Sequence, residues 1–73
     1  MESSNIRIQK RLYSIKEAGL YLGRSAWSVA EMLRTGRIPY VSDGKRRFLD
    51  IKDLESWILR NKITPEEQEK WNG

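Results

Sequence analysis

The chain contains neither cysteine nor histidine. Disulfide staples, Cys/His zinc sites and catalysis built on an imidazole base are therefore excluded. Its apolar residues never run for more than a few positions, too short a stretch for a membrane-crossing helix. The opening residues Met1-Glu2-Ser3-Ser4-Asn5 lack the apolar run of a signal peptide, so a soluble, cytoplasmic protein is expected. Neither an internal repeat nor a low-complexity segment is present. The seventy-three residues make one domain, near the lower limit for a self-sufficient core. Ser, Asp and Glu occur where helix caps are expected, without an accompanying base or metal cluster. No enzyme activity, cofactor, metal or small-molecule substrate is expected.

Acidic residues are the minority charge, ten against fourteen Lys and Arg, for a net +4. The imbalance is uneven along the chain. Residues 6–63 hold 13 basic and 6 acidic groups, a net +7, whereas residues 64–73 carry −2. A basic body with an acidic tail suits a nucleic-acid partner, with a generic solvated surface as the alternative that position in the fold must decide; no membrane partner is expected.

The segment Gly-Arg-Ile-Pro-Tyr-Val-Ser-Asp-Gly-Lys-Arg-Arg-Phe-Leu, residues 36–49, is the most informative. Two β-prone runs, 38–41 and 46–49, flank Asp43-Gly44, a dipeptide suited to the positive φ of a tight hairpin. Lys45, Arg46 and Arg47 follow at once and present charge outward. Upstream, Ser14-Ile15-Lys16-Glu17 reads as a capping box opening a first helix, 15–22, that Gly23 ends. Ser25 caps a second helix, 26–35, and Gly36 stops it. Asp50 caps a third, 51 to about 61, with Asp53 and Arg60 placed to suit its dipole. Thr64-Pro65-Glu66-Glu67 repeats the grammar of a helix start. The pattern predicts a small, mainly α, α+β fold, a winged helix-turn-helix of three helices plus a two-stranded β-hairpin wing. Residues 12–62 form the domain, 1–11 a flexible arm or edge strand, and 63–73 an acidic tail or short helix. The expected core is Ile15, Leu22, Val29, Leu33, Phe48, Leu54, Trp57 and Ile58.

On a helical wheel Ala26, Val29, Ala30, Met32 and Leu33 share one side of the second helix, and Trp27, Glu31 and Arg34 the other. Trp27 is thus an aromatic on a polar face. It either lies against the hairpin or a neighbouring helix, touches DNA sugars or thymine methyl groups, or meets a protein partner.

This ordered set of motifs resembles the excisionase-type, MerR-like winged helix-turn-helix domains of mobile genetic elements. The residues carrying the resemblance are Tyr13-Ser14-Ile15-Lys16-Glu17-Ala18, Leu22-Gly23-Arg24-Ser25, Val29, Leu33, Gly36-Arg37-Ile38-Pro39, the wing 44–47, and Asp53-Leu54-Glu55-Ser56-Trp57-Ile58. Gly19, Gly23 and Val29 fit the offsets at which helix-turn-helix proteins place a small residue, a turn glycine and a buried aliphatic. The resemblance implies that the second helix enters the major groove while the wing lies along the adjacent backbone or minor groove. The chain departs from its relatives in the second helix, where Ala26 and Ala30-Glu31 stand at positions that often hold an arginine and a Tyr-Arg or Tyr-Lys pair. Glu31 repels phosphate, accepts from cytosine N4, or pairs with Arg34.

The function expected is sequence-specific binding of double-stranded DNA by an accessory protein, an excisionase or recombination directionality factor of a phage or mobile element in a prokaryotic cell. A prophage-type transcriptional regulator is the alternative, and a protein-interaction adaptor with a helix-turn-helix shell is the alternative of another class. The recognition-helix candidates are Arg24, Ser25, Trp27, Ser28, Glu31 and Arg34, and the wing candidates Lys45, Arg46 and Arg47. Arg7, Lys10 and Arg11 form a candidate DNA-binding arm. Leu20 and Trp71 are candidate protein contacts, toward a recombinase or integrase or a neighbouring copy on DNA.

Overall fold

A computed structural model describes residues 9–66. Arg7 and Trp71 lie outside the described residues, as does most of the tail. The elements run β1 (Leu12–Ser14), α1 (Ile15–Leu22), α2 (Ala26–Arg34), β2 (Val41–Asp43), β3 (Arg46–Asp50) and α3 (Ile51–Asn61). Pro65 and Glu66 are helical, as the Thr64-Pro65 grammar predicts. Among the described residues no helix is long and apolar enough to cross a membrane.

Local chemistry sets the helix ends. Ser14 Oγ accepts the Glu17 N–H at 3.1 Å while Glu17 Oε1 accepts the Ser14 N–H at 2.9 Å, a reciprocal capping box. Gly23 ends α1 at φ 73°, a left-handed conformation open to glycine at no steric cost. Ser25 Oγ takes the Ser28 N–H at 3.0 Å to open α2. That helix closes at Arg34, one residue earlier than expected, where Gly36 turns left-handed at φ 72° and the Gly36 and Arg37 N–H groups donate back to the Leu33 and Met32 carbonyls at 3.1 and 2.9 Å. Asp50 Oδ1 accepts the Lys52 N–H at 3.0 Å and opens α3.

Three strands form one antiparallel sheet in the order β1-β3-β2. Strands β2 and β3 form the expected two-stranded wing, and β1 adds a third strand beside β3, pairing Leu12 with Asp50, Tyr13 with Leu49 and Ser14 with Phe48. The far side of β3 pairs Val41 with Phe48, Ser42 with Arg47 and Asp43 with Arg46. The turn is therefore centred on Gly44-Lys45, one residue later than the expected Asp43-Gly44. Gly44 has φ 62°, and among the described residues no non-glycine residue has positive φ. One positive φ followed by a negative one is the pattern of a II′ turn, whose first central position suits glycine. The first run is also shorter than expected, since β2 begins only at Val41.

The core comprises Ala18, Val29, Met32, Leu33, Ile38, Leu49 and Leu54, with Tyr13, Ile15, Leu22, Ile51 and Trp57 packed around it. Phe48, expected inside, gives way to Leu49. Successive strand side chains face opposite sides, and the pairing of β1 with β3 turns Leu49 inward. Phe48 is half-buried on the other face, with Arg46 Cζ 5.0 Å from its ring centroid. Ile58, also expected in the core, is half-buried, as are Ile15, Leu22 and Trp57.

Helices α1 and α2 approach most closely at Gly19. A Cβ there would lie 2.6 Å from the Arg24 carbonyl oxygen, closer than any real methyl contact. The Arg24 N–H donates to the Gly19 carbonyl at 2.8 Å, fastening the turn.

Candidate nucleic-acid interface

Helix α2 is fixed through Val29, Met32 and Leu33, all buried, and turns its opposite side outward. Trp27 on that side is 73% exposed. It is absent from the side chains packed against the core, and most of its surface is open to solvent. Ser25 and Arg34 are also exposed, whereas Arg24, Ser28 and Glu31 are half-buried. The six recognition-helix candidates run from the turn before α2 to Arg34, its last residue, and differ in what they have free to offer.

Glu31 and Arg34 neutralise each other. Arg34 Nε lies 3.1 Å from each Glu31 oxygen, and Nη2 donates to Oε1 at 2.6 Å. The hydrogen bond from Arg34 is the first cause holding the Glu31 carboxyl below its ordinary value, and the same contact raises the guanidinium. Glu31 therefore pairs within its own helix. Arg24 is held differently, with Nε donating to Ser28 Oγ at 2.8 Å and the guanidinium 5.6 Å from the Trp57 ring centroid.

The arm candidates are also committed within the protein. Lys10 Nζ lies 3.2 Å from Glu17 Oε2 and 5.6 Å from the Tyr13 ring. Arg11 bridges to Asp50 through Nη2 and Nε, each at 3.1 Å, while its carbonyl accepts the Ile51 N–H at 2.7 Å. Asp50 is held below its ordinary range, first by the Arg11 hydrogen bond and then by the Lys52 N–H. Glu17 is lowered first by the Ser14 N–H and then by Lys10. These contacts bind the entering chain to α1 and α3 and offset the charge of Lys10 and Arg11 with a carboxylate each.

On the hairpin, Lys45, Arg46 and Arg47 are all exposed. Strand alternation puts Arg46 with Phe48 on one face and Arg47 with Leu49 on the other, while Lys45 occupies the turn. The cluster therefore spreads charge over both faces of the tip. None of the three has an acidic partner among the described residues.

Arg37 belongs with these cations although its sequence context singled it out only as part of a motif. It is exposed, with Nε on Thr35 Oγ1 at 3.2 Å and its backbone N–H on the Met32 carbonyl at 2.9 Å. The signal was Gly36, whose φ of 72° reverses the chain and leaves residue 37 beside the end of α2. Leu20, the candidate protein contact, is 77% exposed on α1.

No curated protein and no solved structure matches the chain. The family model for a helix-turn-helix domain matches residues 12–62, well over half of it. The chain belongs to the helix-turn-helix domain family, and DNA binding follows from that membership.

Proposed function

We propose that the chain binds double-stranded DNA with a sequence preference and serves as an accessory factor in site-specific recombination, of the excisionase or recombination-directionality kind. Helix α2 enters the major groove, and the β2–β3 hairpin lies along the adjacent backbone or minor groove. The observation that carries the reading is the run Lys45-Arg46-Arg47, exposed at a hairpin tip and without a carboxylate partner among the described residues. Uncompensated charge on both faces of a narrow hairpin suits a polyanion that passes on either side. Trp27 offers the other half of the contact, an apolar surface for sugars or thymine methyl groups. With Glu31 and Arg34 paired to each other, base reading falls to Ser25 and Trp27, and much of the affinity falls to the wing.

The recombination role is supported by the ordered motif set shared with excisionase-type domains. Such a factor acts in the cytoplasm of a prokaryotic cell, without chemistry of its own, by organising attachment-site DNA for a recombinase. Leu20, exposed on the side of α1 away from the core, is available to that recombinase or to a neighbouring copy. The test is a gel-shift titration on DNA flanking the gene, followed by an excision assay with the integrase encoded nearby. Tight binding with stimulated excision supports the proposal. Tight binding with altered transcription and no effect on excision assigns the chain to a regulator of the same fold.

A further inference from the structure

We propose that Trp57, in the helix that does not enter the groove, is a positioning residue for Arg24, and that Arg24 is thereby pre-set to grip one phosphate of the duplex. The proposal rests on the DNA-binding reading and assigns a residue of the third helix to it.

Three independent restraints converge on Arg24. Its backbone N–H is fixed to the Gly19 carbonyl at 2.8 Å, where α1 and α2 touch too closely for a side chain at 19. Its Nε donates to Ser28 Oγ at 2.8 Å. Its guanidinium sits 5.6 Å from the Trp57 ring centroid, within cation–π range. Trp57 is half-buried and packed against the core, so the ring is itself held. An arginine otherwise loses considerable rotamer freedom on binding. Here most of that ordering is complete in the free protein, and preorganisation of this kind raises affinity.

The restraints also leave the useful atoms unspent. A guanidinium has five N–H donors, and Ser28 takes only the one on Nε. The terminal nitrogens have no acceptor among the described residues. Lys10, Arg11 and Arg34 each face a carboxylate, whereas Arg24 is held by a hydroxyl and a ring and has no carboxylate partner among the described residues. A planar fork with its outer edge free matches two oxygens of a phosphodiester. Arg24 directly precedes the Ser25 cap of α2, the end that the helix-turn-helix arrangement brings to the groove edge.

The test is a fluorescence-anisotropy titration of a labelled mixed-sequence duplex across a salt series. Wild type, Arg24→Gln, Arg24→Lys, Trp57→Phe and Trp57→Leu are compared well below their melting temperatures. Arg24→Gln should reduce the steepness of log K against log salt by about 0.9, one phosphate's share, and weaken binding roughly tenfold. Arg24→Lys should keep the slope but bind more weakly than wild type. Trp57→Leu should keep the slope and lose about three- to fivefold in affinity, with Trp57→Phe restoring most of it.

An Arg24→Gln protein that melts lower but keeps the wild-type slope makes Arg24 a latch between helices and overturns the proposal. Equal losses in Trp57→Phe and Trp57→Leu overturn the positioning role. Should Arg24→Gln not fold, the Arg24 Nε–H resonance of the wild type decides, since it must shift when duplex is added and an unmoved signal overturns the grip. A wild type without salt-dependent binding would instead remove the DNA reading itself.

Discussion

The Gly19 carbonyl accepts the Arg24 N–H at 2.8 Å, and the space where a Gly19 side chain would stand is filled by the Arg24 carbonyl oxygen. The two residues form the hinge of the helix pair, and neither backbone can give way without opening the angle between α1 and α2. Gly19→Ala should destabilise the domain by about 1–3 kcal/mol through overpacking and should disturb the position of Arg24 as well. Thermal denaturation with a duplex titration checks both effects.

Trp27→Ala should leave stability within about 1 kcal/mol of wild type, because the residue is 73% exposed. Specific DNA affinity should fall. A competition titration between a cognate site and mixed duplex separates this from a general loss, and a melting-temperature drop of many degrees would contradict the placement.

Replacing Lys45, Arg46 and Arg47 together with alanine should weaken binding to every sequence and flatten the log K against log salt slope by up to about 3. The fold should survive, since all three side chains are exposed. An unchanged slope in a folded variant would take the wing off the DNA.

Leu54→Ala should cost roughly 2–5 kcal/mol, since the side chain is fully buried and the cavity lies at the centre of a small core. In a domain of this size that is a large share of the total stability. Denaturant unfolding followed by tryptophan fluorescence measures it.

Acid should lower the stability of the domain through identifiable carboxylates. Glu17, Glu31 and Asp50 are all held below their ordinary values of 4.5, 4.5 and 3.8. A carboxylate lowered in the folded state contributes stability that is full above its unfolded pKa and disappears as pH falls through its folded pKa. The melting temperature should therefore hold near neutral pH and fall once pH drops below about 4.5. Asp50→Asn keeps a capping side chain but loses the Arg11 pair, so its melting curve should depend less on pH over that window. Melting scans across a pH series test this.

Features set by neighbours in sequence were legible beforehand. The Ser14, Ser25 and Asp50 caps and the glycines at 23 and 36 each act within a few residues, and local grammar located all three helices. The wheel put Trp27 on the polar face of α2 but left open whether it packed on a neighbouring element, and its exposure came from the structure. Features requiring a distant partner were not. Arg11 and Asp50 are 39 residues apart, so nothing near Arg11 marked it as a clamp rather than a free arm. Phe48 and Leu49 are equally apolar neighbours, and only the pairing of β1 with β3 decides which one faces inward. The turn was misplaced by one residue because Asp-Gly and Gly-Lys both satisfy two-residue loops, and strand register selects between them. Arg24 was read as a groove contact, but its hold on Trp57 crosses from the turn to α3 and left no local trace.

Strand β2 has all three of its residues exposed, and inward packing at that edge is done by Ile38 before it and Leu49 on its neighbour. The outer half of the hairpin is therefore a part that changes cheaply. Residues 41–47 tolerate new charges, lengths and shapes as long as Gly44 keeps the turn. A lineage, or an engineer, can retarget this domain at the wing without relearning how to fold it.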